Sequence, residues 1–206
     1  MRHHRALLAL TLVALATPRV ASAQALDSGD WIVRLRATSL QSANKDSTGL
    51  DLSIDDKVLP EVDFTRFLTP NIATELILTY PQRQTLSAGG SAIGTLKHQP
   101  PVLTLQNHYT ELPVVRPYLG VGINYTHFSD VHFDAATTAA LQPSIKRNSV
   151  GLALQAGVDL PLGGGWLLNA DAKKVQLNTD VYAGSTKAGN FAVNPWLLSL
   201  GVGRRF

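Results

Sequence analysis

The chain has 206 residues, 45% of them hydrophobic, 16% charged and none of them cysteine. Without cysteine there is no disulfide, no thiolate metal site and no lipoprotein anchor, and the charged fraction lies below the ~25% of an ordinary soluble domain. The excess of 18 Lys and Arg over 15 Asp and Glu comes from Arg2, Arg5 and Arg19, so the remainder is charge-balanced and holds no basic patch to grip a nucleic-acid backbone.

Met1 to Arg5 is basic, Ala6 to Ala16 is apolar apart from Thr11, and Ala21 and Ala23 are small residues at the two positions a signal peptidase reads. This order predicts a signal peptide over 1–23 and a mature domain over 24–206. The apolar run is shorter than the roughly 20 residues that a membrane helix needs. Beyond it the period is two, the mark of strands.

The first predicted strand, 29–40, sets Trp31, Val33, Leu35 and Ala37 on one face and Arg34 and Arg36 on the other. The second, 57–68, carries Glu61 and Asp63. Thr69-Pro70-Asn71 turns the chain into the third, 72–82, where Ala73, Glu75, Ile77 and Thr79 oppose Leu76, Leu78 and Tyr80. The fourth, 95–110, is interrupted by Pro100-Pro101, which lack N–H donors and should weaken its pairing with a neighbour, with a side opening as one consequence. In the fifth, 115–128, Leu119, Val121, Ile123 and Tyr125 alternate with Gly120, Gly122, Asn124 and Thr126. The sixth, 148–161, turns Val, Leu and Ala one way and Gly, Gln155 and Asp159 the other. The seventh, 165–179, carries Asn169, Asp171, Lys173, Val175 and Leu177 on its inner face. The eighth, 194–206, aligns Trp196, Leu198, Leu200, Val202 and Phe206, with Arg204 as the exception.

Long connections at 41–56, 83–94, 129–147 and 180–193 alternate with short turns at 69–71, 111–114 and 162–164. That alternation, with an even strand number, predicts an all-β, eight-stranded antiparallel up-and-down transmembrane barrel with both termini in the periplasm. Trp31, Tyr80, Tyr109, Tyr118, Tyr125, Trp166, Trp196 and Phe206 fall near strand ends, where interface girdles belong. The expected location is the bacterial outer membrane, in contact with its lipid, and a closed barrel without free edges is expected to be monomeric.

Several segments resemble the OmpW family of small outer-membrane barrels. They are Thr69 through Leu76 with Pro81, Leu96 through Gln106 with its double proline, Arg116-Pro117-Tyr118 through Thr126, Trp166 through Asp171, and Asn194-Pro195-Trp196 with Gly201 through Phe206. The resemblance implies passage of small hydrophobic or amphipathic solutes through the outer membrane. Two positions depart from it. Arg204 stands where an aromatic residue is expected, and Lys173 where an apolar or aromatic one is expected. Phe206, with Leu200 and Val202 at alternate positions before it, also looks like the signal read by the barrel-assembly machinery, to which periplasmic chaperones would deliver the chain.

An eight-stranded barrel is about filled by its own side chains, so no wide aqueous pore is expected. The inward set is Arg34, Arg36, Glu61, Asp63, Glu75, Tyr118, Gln155, Asp159, Asp171 and Lys173. These charges either pair into a structural plug or line a solute path. Ile77, Val175 and Leu177 on the same surface suggest an apolar pocket or constriction open to the outside. Lys173 narrows the path, favours acidic amphipathic solutes, or pairs with Asp171 or Glu75. The loops offer a second class of function, a structural or receptor barrel, with 129–147 the longest of them. A third is enzymatic: His127-Phe128-Ser129 resembles the histidine-x-serine arrangement of a barrel lipid deacylase, yet only Asp130 and Asp134 are local acids to orient the base. His127, Asp130, His132 and Asp134 are candidate metal ligands, with an ordinary solvated loop entrance as the alternative. No cofactor motif is found, and the chain is not expected to be an enzyme.

Overall fold

The computed structural model describes residues 25–206; the cleavage residues Ala21 and Ala23 lie outside them. Side-chain alternation defines the elements, because a strand sends successive residues to opposite faces. In β1 (Trp31–Gln41), Ile32, Arg34, Arg36, Thr38 and Leu40 are buried while Trp31 and Leu35 are exposed. The chain continues through β2 (Lys45–Asp46), β3 (Leu52–Ile54), β4 (Lys57–Phe67), β5 (Ile72–Thr79), β6 (Gln82–Ala88), β7 (Ser91–Gln99) and β8 (Val102–His108). Then come β9 (Arg116–Phe133), the helix α1 (Ala135–Leu141), β10 (Pro143–Ile145) and β11 (Asn148–Gly163). The last strands are β12 (Trp166–Val175), β13 (Asn178–Ala183), β14 (Thr186–Ala192) and β15 (Trp196–Arg205).

Eight strands close a barrel in the order β1-β4-β5-β8-β9-β11-β12-β15, every neighbour antiparallel. β15 returns to β1, with Ile32 opposite Arg205 at one end and Gln41 opposite Trp196 at the other. The outer wall is apolar, with Leu35, Leu105, Val121, Val150, Leu152 and Leu200 among its exposed residues. Trp31, Tyr109, Trp166 and Phe206 form one girdle and Tyr80, Tyr125 and Trp196 the other, all exposed. Arg204, where an aromatic residue was expected, lies over the Trp166 and Phe206 rings at 5.4 Å each, which keeps the guanidinium within the girdle. Tyr118 is the correction to the girdle: of its two expected places it takes the lumen, because the alternation that exposes Leu119 and Val121 turns it inward.

The fourth expected strand, 95–110, is two. β8 pairs with β5 and the lower part of β9, whereas β7 pairs with β6 and the upper part of β9. Two successive prolines cannot donate to a ladder, so the strand breaks at Pro100-Pro101, and Tyr80-Pro81 divides β5 from β6 at the same height. All four long connections also hold structure, and 41–56 carries β2 and β3. Residues 83–94 belong mostly to the β6–β7 hairpin, turned by Gly89 and Gly90 with φ of 52° and 78°. Residues 180–193 carry the β13–β14 hairpin. The 129–147 stretch carries the end of β9, then α1, whose N-cap Asp134 accepts from the Thr137 N–H at 2.6 Å, and then β10. These strands stand beyond the bilayer, so neither of their faces must be uniformly apolar and the alternation in sequence is weak.

Tyr118 and Gly157 are ladder partners on β9 and β11, and the tyrosine ring occupies the space that a side chain at Gly157 would fill. Gly157→Val should therefore displace Tyr118 and cost about 1–3 kcal/mol, the usual penalty of overpacking. Urea unfolding of the refolded barrel checks this, with Ala156→Val on the exposed wall expected to change little.

Candidate functional site

The lumen is organised in zones along its axis. At the periplasmic mouth, Ile32, Phe67, Ala73 and Leu167 are the inward residues of their strands nearest that end, and Leu26 folds in against them, 2% exposed. Arg205 anchors the segment just ahead of β1 through Asp30 at 2.7 Å. His108 lies edge-on to Phe67 and stacked on Tyr118, both at 4.8 Å between ring centroids.

Above this plug sits a charge layer. Arg34 forks onto Asp159, with Nε to Oδ1 at 3.1 Å and Nη2 to Oδ2 at 2.6 Å, while its Nη1 reaches Asp63 at 2.9 Å. Arg36 donates to Glu61 at 3.0 Å and Glu75 at 2.9 Å, and its Nε lies 3.2 Å from Asp63. Lys173 joins Glu61 at 2.9 Å to Asp171 at 2.6 Å. Three cations thus meet five carboxylates, and neutral donors offset the shortage. Gln106 and Gln155 each donate to Glu75 Oε2 at 2.7 Å, and Tyr118 and Gln155 each donate to Asp171 Oδ2 at 2.8 Å. Such a layer fills the section of an eight-stranded barrel.

On the outer side of the charges the lining turns apolar. Leu40, Leu59, Ile77, Val102, Ala153, Val175 and Leu197 form a ring, one contribution from each strand except β9, where Gly122 stands against the Leu103 carbonyl and Thr104 and leaves no room for a side chain. Leu177, two residues beyond Val175, belongs already to the next zone, with Leu52, Ile54, Leu86, Leu96, Phe128, Val181, Phe191 and Val193. This outer zone encloses a narrow cavity of ≈ 40 Å³, walled by those residues other than Leu177 and by Leu50, Phe133, Leu141 and Ile145.

The wall changes at the height of the ring. The β5–β8 ladder stops at the pair Ile77 and Val102, and pairing resumes above it on β6 and β7 with Gln82 and His98. Between them lie Pro81, Pro100 and Pro101; the Tyr80 N–H turns to the Pro60 carbonyl at 3.2 Å.

All the residues expected to face the lumen do so. Arg34, Arg36, Glu75, Asp171 and Lys173 meet in the charge layer, Ile77 and Val175 in the ring, and Leu177 above them. Lys173, which departs from the resemblance, pairs with Asp171, one of the roles expected of it, and with Glu61 rather than Glu75. The Leu26 plug and the outer cavity were not foreseen. Leu86 and Leu96 lie on strands of mixed polarity, and nothing local in Leu26 marks it as the residue that turns back into a barrel. The loop residues weighed for chemistry are spread among separate partners. His127 Nδ1 meets Asn148 at 2.8 Å, Asp130 pairs with Lys97 at 2.8 Å, and Asp134 caps α1. Leu200, Val202 and Phe206 face outward, from the middle of β15 to the periplasmic rim.

Asp46 organises the loop that lends Leu52 to the cavity, accepting from Thr48 N–H at 2.9 Å, Thr48 O–H at 2.8 Å, Leu50 N–H at 3.2 Å and Leu52 N–H at 3.3 Å. Partial burial alone would raise this carboxyl, but the donors from Thr48, Leu52 and Leu50 outweigh it and hold the group below the ordinary carboxylate range. A depressed acid contributes its stability above its unfolded pKa and loses it as pH falls through the folded value. Amide protection at Leu50 and Leu52 should therefore decline as pH falls below the ordinary carboxylate range, and Asp46→Asn should remove that dependence; hydrogen exchange read by mass spectrometry tests both.

Lys173→Met should cost about 3–5 kcal/mol, because it strands Asp171 and half of the support of Glu61 in a layer closed to water. Denaturant unfolding is the measurement, and adding Asp171→Asn should recover part of the loss.

The OmpW family model matches residues 27–206. The chain is similar to an outer-membrane protein of Sinorhizobium fredii, y4mB, at 36% identity over 205 residues, covering 93% of this chain and 88% of that one. It is similar to outer membrane protein W of Vibrio cholerae at 30% identity over 210 residues, covering 95% and 97%. The solved structure of the outer membrane protein OprG from Pseudomonas aeruginosa shares the fold, with a TM-score of 0.76 at 22% identity, over 87% of this chain and 97% of that one.

Proposed function

The chain belongs to the OmpW family and is an integral outer-membrane β-barrel, and from that premise we propose that it is a narrow channel for small hydrophobic or amphipathic solutes crossing the outer membrane. The observation that carries this reading is the succession of two apolar zones on the outer side of a closed charge layer. A solute that enters among Leu86, Leu96 and Phe128 meets the ring of Ile77, Val102 and Val175 next, without crossing an ion pair. Burial of apolar surface favours each step by about 25 cal/mol per Å².

Onward movement along the axis would have to break the Arg34, Arg36 and Lys173 pairs and then displace Leu26. Removing one partner from such a buried pair costs several kcal/mol. The proline gap in the wall stands at the height of the ring and offers a lower barrier, because no ladder there has to be broken. The reading therefore takes the solute sideways, between β5 and β8, into the bilayer.

Uptake of n-octane into vesicles with a lipopolysaccharide outer leaflet tests the reading. The refolded barrel should raise uptake above that of protein-free vesicles. Ile77→Trp should bring it back toward the protein-free rate in a barrel that still closes, as judged by its heat-modifiable migration. Equal uptake with and without the protein would move the function to the outer loops.

A further inference from the structure

We propose that the path selects solutes by a hydroxyl head group, favouring amphipathic alcohols over plain hydrocarbons and over carboxylates. This rests on the solute-path reading above and concerns the polar atoms that flank the proline gap.

Four buried side-chain atoms around that gap have no hydrogen-bond partner among the described residues: Glu61 Oε2, Thr79 Oγ1, Gln84 Oε1 and His98 Nδ1. Their residues are 3%, 5%, 1% and 4% exposed, so bulk solvent does not serve them. Glu61 and Thr79 are ladder partners on β4 and β5, immediately below Tyr80-Pro81. Gln84 follows Pro81 on β6, and His98 precedes Pro100 on β7. They stand on both sides of the break in pairing between Ile77–Val102 and Gln82–His98. On the lipid side a hollow of ≈ 390 Å³ lies against β4 and the end of β5 beside that break, lined by Leu35, Val62 and Leu78 together with Pro60, Glu61, Thr79, Tyr80 and Pro81.

Buried polar atoms are nearly always paired, and each exception carries a desolvation cost unless a partner arrives. Glu61 Oε2 and Gln84 Oε1 are acceptors only, and Thr79 Oγ1 can accept. Their complement is a donor. A hydrocarbon brings none. A carboxylate would set a second negative charge beside Glu61, whose other oxygen already takes both Arg36 and Lys173. An ammonium would donate, but it would first have to shed its water in the apolar ring, which is costly for an ion. A neutral hydroxyl donates at small desolvation cost, with its chain left among Ile77, Val102 and Leu59.

The test compares n-octane, 1-octanol and octanoate in the vesicles described above, each corrected for protein-free passage. The intact barrel should accelerate octanol most and octanoate least. Thr79→Val keeps the side-chain shape and removes a hydroxyl that holds no protein partner, so the barrel should fold. It should lower the octanol-to-octane ratio about five-fold, the factor that one net hydrogen bond contributes. Thr79→Ser should restore the ratio, and Gln84→Leu should lower it as Thr79→Val does. An unchanged ratio in both Thr79→Val and Gln84→Leu would mean that these atoms are satisfied by resident water, and the selection would be overturned. Octane accelerated without any preference for octanol, or octanoate passing as fast as octanol, would overturn the selection and leave the path reading standing. No acceleration of any of the three would sink both.

Discussion

No water reaches the hydrocarbon core of a bilayer, so every peptide N–H and C=O there must find its partner within the chain. Strands meet that requirement only by closing on themselves, and the return of β15 to β1 is what makes the remaining strands tolerable in lipid. The rest follows from closure at eight strands. The lumen is then about as wide as its side chains, and strand alternation that turns Leu35, Val121 and Leu152 toward lipid turns Arg34, Gly122 and Ala153 inward. Polar residues inside cannot be left bare, which is why Arg34, Arg36 and Lys173 share five carboxylates with Gln106, Gln155 and Tyr118.

The charge layer does two things at once. It satisfies the polar half of each strand, and it closes the axis. A hydrophobic replacement of such a cluster is often no less stable, so stability alone does not account for it. Its position does more. It forms the floor on which the apolar ring rests, and the Leu26 plug lies beneath it. Whatever moves through the outer zones meets a floor of fixed charge and a wall with one gap.

That gap is where the rule of closure is relaxed. Pro60 within β4, Pro81 after β5 and Pro100 and Pro101 before β8 are gathered at one height, and the ladder between β5 and β8 does not continue there. Unpaired backbone is tolerable in a membrane only where protein or a cavity receives it. Here the Tyr80 N–H finds the Pro60 carbonyl and the Tyr125 N–H finds the Pro101 carbonyl.

The amino-acid sequence alone determined the barrel. The period of two, the alternation of long and short connections and the aromatic strand ends require neither a partner nor a long-range contact to be read, because each reflects the bilayer acting on one strand at a time. The same alternation assigned Arg34, Arg36, Glu75, Ile77, Asp171, Lys173 and Val175 to the lumen, and the double proline marked the weak place in the wall. What only the tertiary structure decided is which inward residues meet. Lys173 pairs with Glu61, 112 positions away in the chain, and Arg34 with Asp159, 125 away, and no local pattern encodes such distances. The outer cavity and the Leu26 plug were illegible for a related reason. Beyond the bilayer neither face of a strand is obliged to be apolar, so Leu86, Leu96, Phe128 and Phe191 become one surface only when two hairpins and the top of β9 are brought together by closure below them.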